Sequence, residues 1–220
     1  MWFKIKLFFG KLWGLISVRW GLYYSYSRLV RWIVEHKHRK GRPPLDQYED
    51  YPRLLSLAAH WKWRKDTWKV GWDSFSYPSR VQDYINRGVA KIGDCDDWSL
   101  YLGWVLKDIE SRKPIFEHLK CENFRILTVT YANPNNGKLG GHNVCLIELR
   151  DKDGITRYAH SSNWDKGQIQ SGFYDGRPYN FIEDIVRDIT QTVCGKNGIN
   201  MAWGTCDLKV KRTGEGGRVK

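Results

Sequence analysis

Cys95 stands in the run Ile92-Gly93-Asp94-Cys95-Asp96-Asp97-Trp98-Ser99-Leu100, where a glycine turn delivers a thiol to what reads as the first turn of a helix. A cysteine attacks as thiolate, and the unpaired N–H groups and partial positive charge of a helix start favour that anion and can hold a developing oxyanion. Asp96 and Asp97 suit the same first turn, but their charge opposes thiolate formation, so the thiol needs a separate base. His142 is the candidate: it follows Gly140-Gly141 and opens the apolar, strand-like run to Leu149.

Arg150-Asp151-Lys152-Asp153-Gly154 is rich in turn formers, and Ile155 to Trp164 is a second β-compatible segment, so the two runs predict a hairpin. A four-residue loop from Asp151 to Gly154 pairs Arg150 with Ile155 and sets Asn163 opposite His142. Directly opposed side chains share a face, so the Asn163 amide would hold the imidazole in its working tautomer. A two-residue Asp153-Gly154 turn puts Asp165 there instead, and a bulge brings in Ser162. His160, with the parity of Ser162, is expected to face away from Asn163.

The motif Gly-Asp-Cys-Asp-Asp-Trp-Ser resembles the Gly-Asp-Cys-Glu-Asp-aromatic-small signature of the transglutaminase-like cysteine peptidases, a branch of the papain-like thiol enzymes. The resemblance covers roughly Arg80 to Asp165. It implies a nucleophile that opens a helix, with His and a following Asp or Asn on adjacent antiparallel strands; the matching positions are Cys95, His142 and Asn163. The third strand departs from the pattern. Bacterial members usually carry Leu-Asp-Asn there, whereas this chain reads Ser-Ser-Asn-Trp at 161–164, closer to the Asn-Ser-Trp of papain-type enzymes.

The elements that must position these residues follow from composition and periodicity. With 220 residues and 41% hydrophobic content the chain can bury a sizeable core, and two units are expected: a basic, aromatic helical segment over 1–44 and a catalytic domain over 45–220. A helix runs to about Lys37 and is broken by the charge and prolines of His36 to Pro44. Leu54 to Trp61 continues as helix, followed by Trp61 to Trp68, in which basic residues alternate with Trp. Cys95 to about Ser111 is the central helix, with Leu102, Val105 and Ile109 on its apolar face. Phe124 to Tyr131 is a strand, Ala132 to Gly141 a flexible loop able to gate substrate, Phe181 to Ile189 a short helix and Thr205 to Val210 a terminal strand. Helices ahead of an antiparallel sheet make an α+β fold, and the resemblance implies a transglutaminase-like or papain-like core with an N-terminal helical extension.

Several functions are set aside. Five cysteines, odd in number and widely spread, predict neither a disulfide scaffold nor a zinc site, and a reducing compartment, the cytoplasm, is expected. His36 and His38 sit in a basic run without a carboxylate partner, so no metal is expected, and no cofactor is implied. The net charge of +12 is concentrated in the first forty residues and the tail from Lys209 to Arg212, yet no nucleic-acid-binding motif accompanies it. Lys4, Lys6, Lys11 and Arg19 interrupt the apolar start too often for a membrane span, and Leu12 to Val18 lacks a signal-peptide cleavage site. Basic residues mixed with Trp and Phe suit either peripheral membrane contact or packing on the catalytic domain. The expected activity is hydrolysis of an amide or isopeptide bond in a protein or peptide substrate, through an acyl-thioester on Cys95. Acyl transfer to an amine and a catalytically silent binding module docking on an anionic membrane or an acidic partner are the alternatives. Gln82 and Trp72 lie where a second oxyanion donor would be sought, and neither is selected.

Overall fold

The computed structural model describes residues 2–36, 75–88, 93–163, 169–170 and 178–219. The expected helix over Leu54 to Trp61, the Trp-rich run to Trp68 and Asp165 lie outside the described residues, as does the expected boundary at residue 44.

Among the described residues the chain is α+β. Six strands, β1 (Lys120–Asn133), β2 (Lys138–Arg150), β3 (Thr156–Ser161), β4 (Ile169–Gln170), β5 (Ile199–Asp207) and β6 (Arg212–Gly217), form one antiparallel sheet in the order β4-β3-β2-β1-β5-β6. The helices are α1 (Trp2–Gly14), α2 (Leu22–His36), α3 (Pro78–Asn86), α4 (Cys95–Arg112) and α5 (Ile182–Cys194), with a π-helical turn, Leu15–Arg19, between the first two. Central β1 is buried on both faces from Phe124 to Val129, with helices covering both. That is why, apart from Arg125, whose guanidinium pairs with Glu148 and Glu215, its sequence reads as a run of apolar and β-branched residues rather than an alternation.

The two faces bury different cores. On one, Ile126, Cys145, Ile147 and Leu149 pack against α4, whose Trp98, Leu102, Leu106 and Ile109 are closed off from solvent. On the other, Leu127, Val129, Val144 and Leu146 meet Ile182, Ile185, Val186 and Ile189, the apolar stripe of α5. α5 continues past the expected Ile189 to Cys194 and stops at Gly195. The N-terminal segment joins the α4 side through Tyr24, which belongs to that core; Val18 and Val30 of the same segment are also buried. It is two helices rather than one, because the π-helical turn and Gly21, at φ +86°, redirect the chain. No helix among the described residues is long and apolar enough to cross a membrane.

Three expectations are corrected. The β2–β3 hairpin pairs Arg150 with Thr156 and Cys145 with Ser161, so the register is one residue away from that expected. The Asp151 carbonyl accepts the Gly154 N–H, the Asp151 N–H donates to the Ile155 carbonyl, and Gly154 takes φ +77°. That is a three-residue loop closed by a glycine in the left-handed region, not the four- or two-residue loop. The expected loop from Ala132 to Gly141 is mostly ladder: Ala132 pairs with Leu139 and Tyr131 with Gly140, leaving a short turn in which the Asn133 carbonyl accepts the Gly137 N–H. Thr205 to Val210 is the end of β5 and the turn into β6. There the Asp207 carboxylate accepts from the Lys209 and Lys211 amides, and its local bonding wins over strand propensity.

Candidate active site

Cys95 is the first residue of α4. Asp94 caps the helix through its extended backbone, its carbonyl accepting the Trp98 N–H at 3.1 Å. The Gly-Asp-Cys-Asp-Asp spacing has a packing reason. A Cβ on Gly93 would lie 2.4 Å from the Asp97 carboxylate, so only glycine lets the incoming chain cross the helix start, while Asp97 accepts the Ser76 N–H at 2.5 Å and ties the segment before α3 to it. The Ser99 hydroxyl, one turn on, shares its one proton between the Cys95 carbonyl at 2.6 Å and the Asn143 carbonyl at 2.9 Å, which pins the helix start to β2.

Four cysteines are buried and Cys95 alone is half-buried. Burial pushes the Cys121, Cys145, Cys194 and Cys206 thiols up, with the Glu110 carboxylate adding to it at Cys121. The Cys95 thiol lines a cavity of about 430 Å³ whose walls also include Trp13, Tyr23, Thr128, His142 and Asn143.

The side chain that the sheet brings to Cys95 is Asn143. Its Nδ2 lies 4.0 Å from Sγ and donates to the Tyr23 hydroxyl at 3.2 Å, while its Oδ1 accepts from the Thr128 hydroxyl at 2.5 Å. Because Thr128 holds the oxygen, the amide N–H groups face the thiol and Tyr23. Asn143 and Tyr23 were not selected from the sequence. Parity was the available signal for Asn143, since it alternates with His142 and lies in step with Cys145, Ile147 and Leu149 on the α4 face. Nothing local marks Tyr23, which reaches the site because α2 folds back on the sheet.

His142 pairs with Val129 and shares its parity with Val144 and Leu146, so its imidazole projects from the α5 face, opposite to Asn143. It is 2% exposed. Burial, with His160 beside it, pushes its pKa down to about 3. His160 pairs with Leu146 and lies on that same face, its ring 5.9 Å from that of Tyr179. Burial pushes it down to about 4, opposed in part by Asp188. Both imidazoles are neutral at pH 7. The structure thus brings Cys95 and His142 to one cavity but aims their side chains to opposite sides of β2.

Asn163 does not oppose His142. The β2–β3 ladder ends at Cys145–Ser161, and Asn163 lies in the turn beyond it, its Oδ1 buried without a hydrogen-bond partner among the described residues. Ser162 is buried. Gln82 accepts from the Tyr101 hydroxyl at 2.6 Å and donates to Asn86 at 2.9 Å, within the packing of α3 on α4. Trp72 lies outside the described residues. Among the described residues, the donor atoms of Asp94, Cys95 and Asp96 come within 4.8 Å of one another, an acid and thiol set without histidine that fits no closed zinc site.

No protein-family model matches the chain, and neither a curated protein nor a solved structure matches it.

Proposed function

We propose that the protein is a thiol hydrolase that cleaves an amide or isopeptide bond in a protein or peptide substrate through an acyl-thioester on Cys95. The supporting observation is the setting of that thiol: it opens a buried helix, it alone among five cysteines is half-buried, and it faces a cavity with the Asn143 amide 4.0 Å away. In this reading the Cys95 sulfur attacks the substrate carbonyl carbon. The Cys95 backbone N–H and the Asn143 Nδ2–H receive the oxyanion, and the C–N bond breaks as the leaving amine takes the proton. Water then attacks the thioester, returning the thiol and releasing the acid; an amine in place of water makes the same acyl-enzyme a transferase.

His142 is the base in this proposal, as the resemblance to transglutaminase-like peptidases implies, with Asn163 in the orienting role. A base held near pKa 3 is a poor proton acceptor at neutral pH, and proton transfer from Cys95 requires the leading end of β2, Gly140 to His142, to turn the imidazole toward the cavity. A thiol of this kind belongs in a reducing compartment, and the cytoplasm is proposed. The placement of His142 on the α5 face favours a second reading, a catalytically silent binding module that keeps the fold.

Iodoacetamide labelling of the full chain tests both. The hydrolase reading expects Cys95 to label at least tenfold faster than the other four thiols, and His142→Gln to slow Cys95 near neutral pH and shift its pH profile. Labelling of Cys95 at the rate of an ordinary exposed thiol, unchanged in the His142 variant, sinks the hydrolase and leaves the binding module.

A further inference from the structure

α1 is apolar on two opposite faces, and among the described residues only one of them packs against the rest of the chain. The inner stripe carries Gly10 against Met201 and Leu139, Gly14 against Thr130 and Ala202, and Phe3 beside the β1–β2 turn at Gly137. The outer stripe carries Trp2, Ile5, Phe8, Phe9, Leu12 and Trp13, exposed by 76%, 40%, 64%, 61%, 44% and 61%. At about 100° per residue these six cover one continuous face. Lys4 and Lys11 fall along one border of it and Lys6 along the other. Trp20, 69% exposed, follows the π-helical turn. The chain has no acidic residue before Glu35, while Lys4, Lys6, Lys11, Arg19, Arg28 and Arg31 all precede it.

We propose that this face docks on an anionic lipid bilayer. Exposed rings with a lysine border are what an interfacial helix requires: Trp and Phe settle at headgroup depth, and each ammonium reaches a lipid phosphate. A contiguous apolar face of six large exposed side chains marks an interaction surface rather than chance exposure. The uniform positive charge selects the bilayer over a second copy of the chain, whose identical basic border would repel it. The docking sets where the cavity opens. Trp13 lies both on the outer stripe and in the cavity wall, and Tyr26, 41% exposed, lines the cavity from α2. The Cys95 cavity therefore opens at the bilayer surface, and what enters it is carried at or near that surface. The docking does not rest on the thiol chemistry proposed above and stands or falls apart from it.

The test is co-sedimentation of the full chain with vesicles of phosphatidylglycerol and phosphatidylcholine, and with vesicles of phosphatidylcholine alone. Binding is expected to the anionic vesicles and to be at least tenfold weaker to the neutral ones. Lys4→Gln and Lys11→Gln should each lower the anionic binding about fivefold, the change that corresponds to the contribution of one basic residue beside such a surface. Phe9→Ser with Leu12→Ser should lower it tenfold or more. All four positions lie outside the helix's packed stripe, so the variants should keep the melting temperature of the wild type, and a fixed amount of anionic vesicles should slow iodoacetamide labelling of Cys95 in the wild type more than in the serine pair. Equal binding to both vesicle types, binding unaffected by the serine pair, or a concentration-dependent dimer that the serine pair dissolves without any vesicle binding would each overturn the proposal.

Discussion

The two faces of the sheet treat neighbouring residues of β2 in opposite ways. Asn143, on the α4 face, sits in a polar network with Thr128, Tyr23 and the Cys95 thiol at the wall of a cavity. His142, one residue earlier, points into the α5 face, where it is nearly closed off and held neutral together with His160. The lesson is one of parity. In a strand covered on both sides, a residue's chemistry is decided by which of two environments its number selects, and a one-residue change exchanges them.

The largest effect expected is on the α4 face. Cys95→Ala should abolish turnover of any accepted amide substrate and the fast fraction of iodoacetamide labelling, with the fold retained because the side chain is small and half-buried. Cys145→Ser, on the same face but sealed under α4, should leave labelling of Cys95 within a few-fold and lower stability instead. Fast labelling that survives Cys95→Ala would move the reactive thiol elsewhere. Asn143→Ala should cost about a hundredfold in turnover if its amide receives the oxyanion, the loss typical of one such donor. If Asn143 serves only to hold Tyr23 and Thr128 together, turnover would fall with stability and Asn143→Asp would not differ from it.

The α5 face should break by pH rather than by chemistry. His142 and His160 titrate near 6.5 in an unfolded chain and at about 3 and about 4 in the folded one. Between those values the unfolded state binds more protons, so stability is complete above pH 6.5 and is lost as pH falls toward 4. Each imidazole contributes up to about 1.4 kcal/mol per pH unit across that window. His160→Phe should remove part of that slope, measured as the melting temperature between pH 7 and 4.5. An unchanged slope would mean that His160 is already protonated or exposed in the folded protein, and the contrast between the faces would fail.

What the sequence made legible was the set of strongly periodic or strongly punctuated segments. The helix from Cys95 was readable because acidic residues open it and an apolar face follows, and α5 because Ile182, Ile185, Val186 and Ile189 repeat at helical spacing. The hairpin was readable from its turn formers, but its register was not. The stretch Asp151-Lys152-Asp153-Gly154 accommodates two-, three- and four-residue loops, and the choice among them rests on where Gly154 adopts positive φ. That one unresolved residue placed Asn163 opposite His142 in the sequence reading, whereas β3 stops at Ser161. Tyr23 was out of reach for a different reason: it is far from Asn143 in sequence, and only the packing of α2 brings their polar groups within 3.2 Å.

The smallest effect tests that turn directly. Gly154 sits at φ +77° with nothing within 4 Å of where a Cβ would be, so the cost of a side chain there is conformational alone. Gly154→Ala should lower stability by about 1 kcal/mol, because an L residue other than Asn or Asp resists the left-handed region. In a chain of this size that is a fall of about 2–4 °C in melting temperature. Gly154→Asn should recover most of it, since asparagine tolerates that conformation. Cys95 labelling should not change in either variant, because the turn lies at the far end of β2 from Asn143. If alanine and asparagine were equally neutral, Gly154 would not need its positive φ. The three-residue loop would then give way to another register, and with it the assignment of His160 and Leu146 to one face.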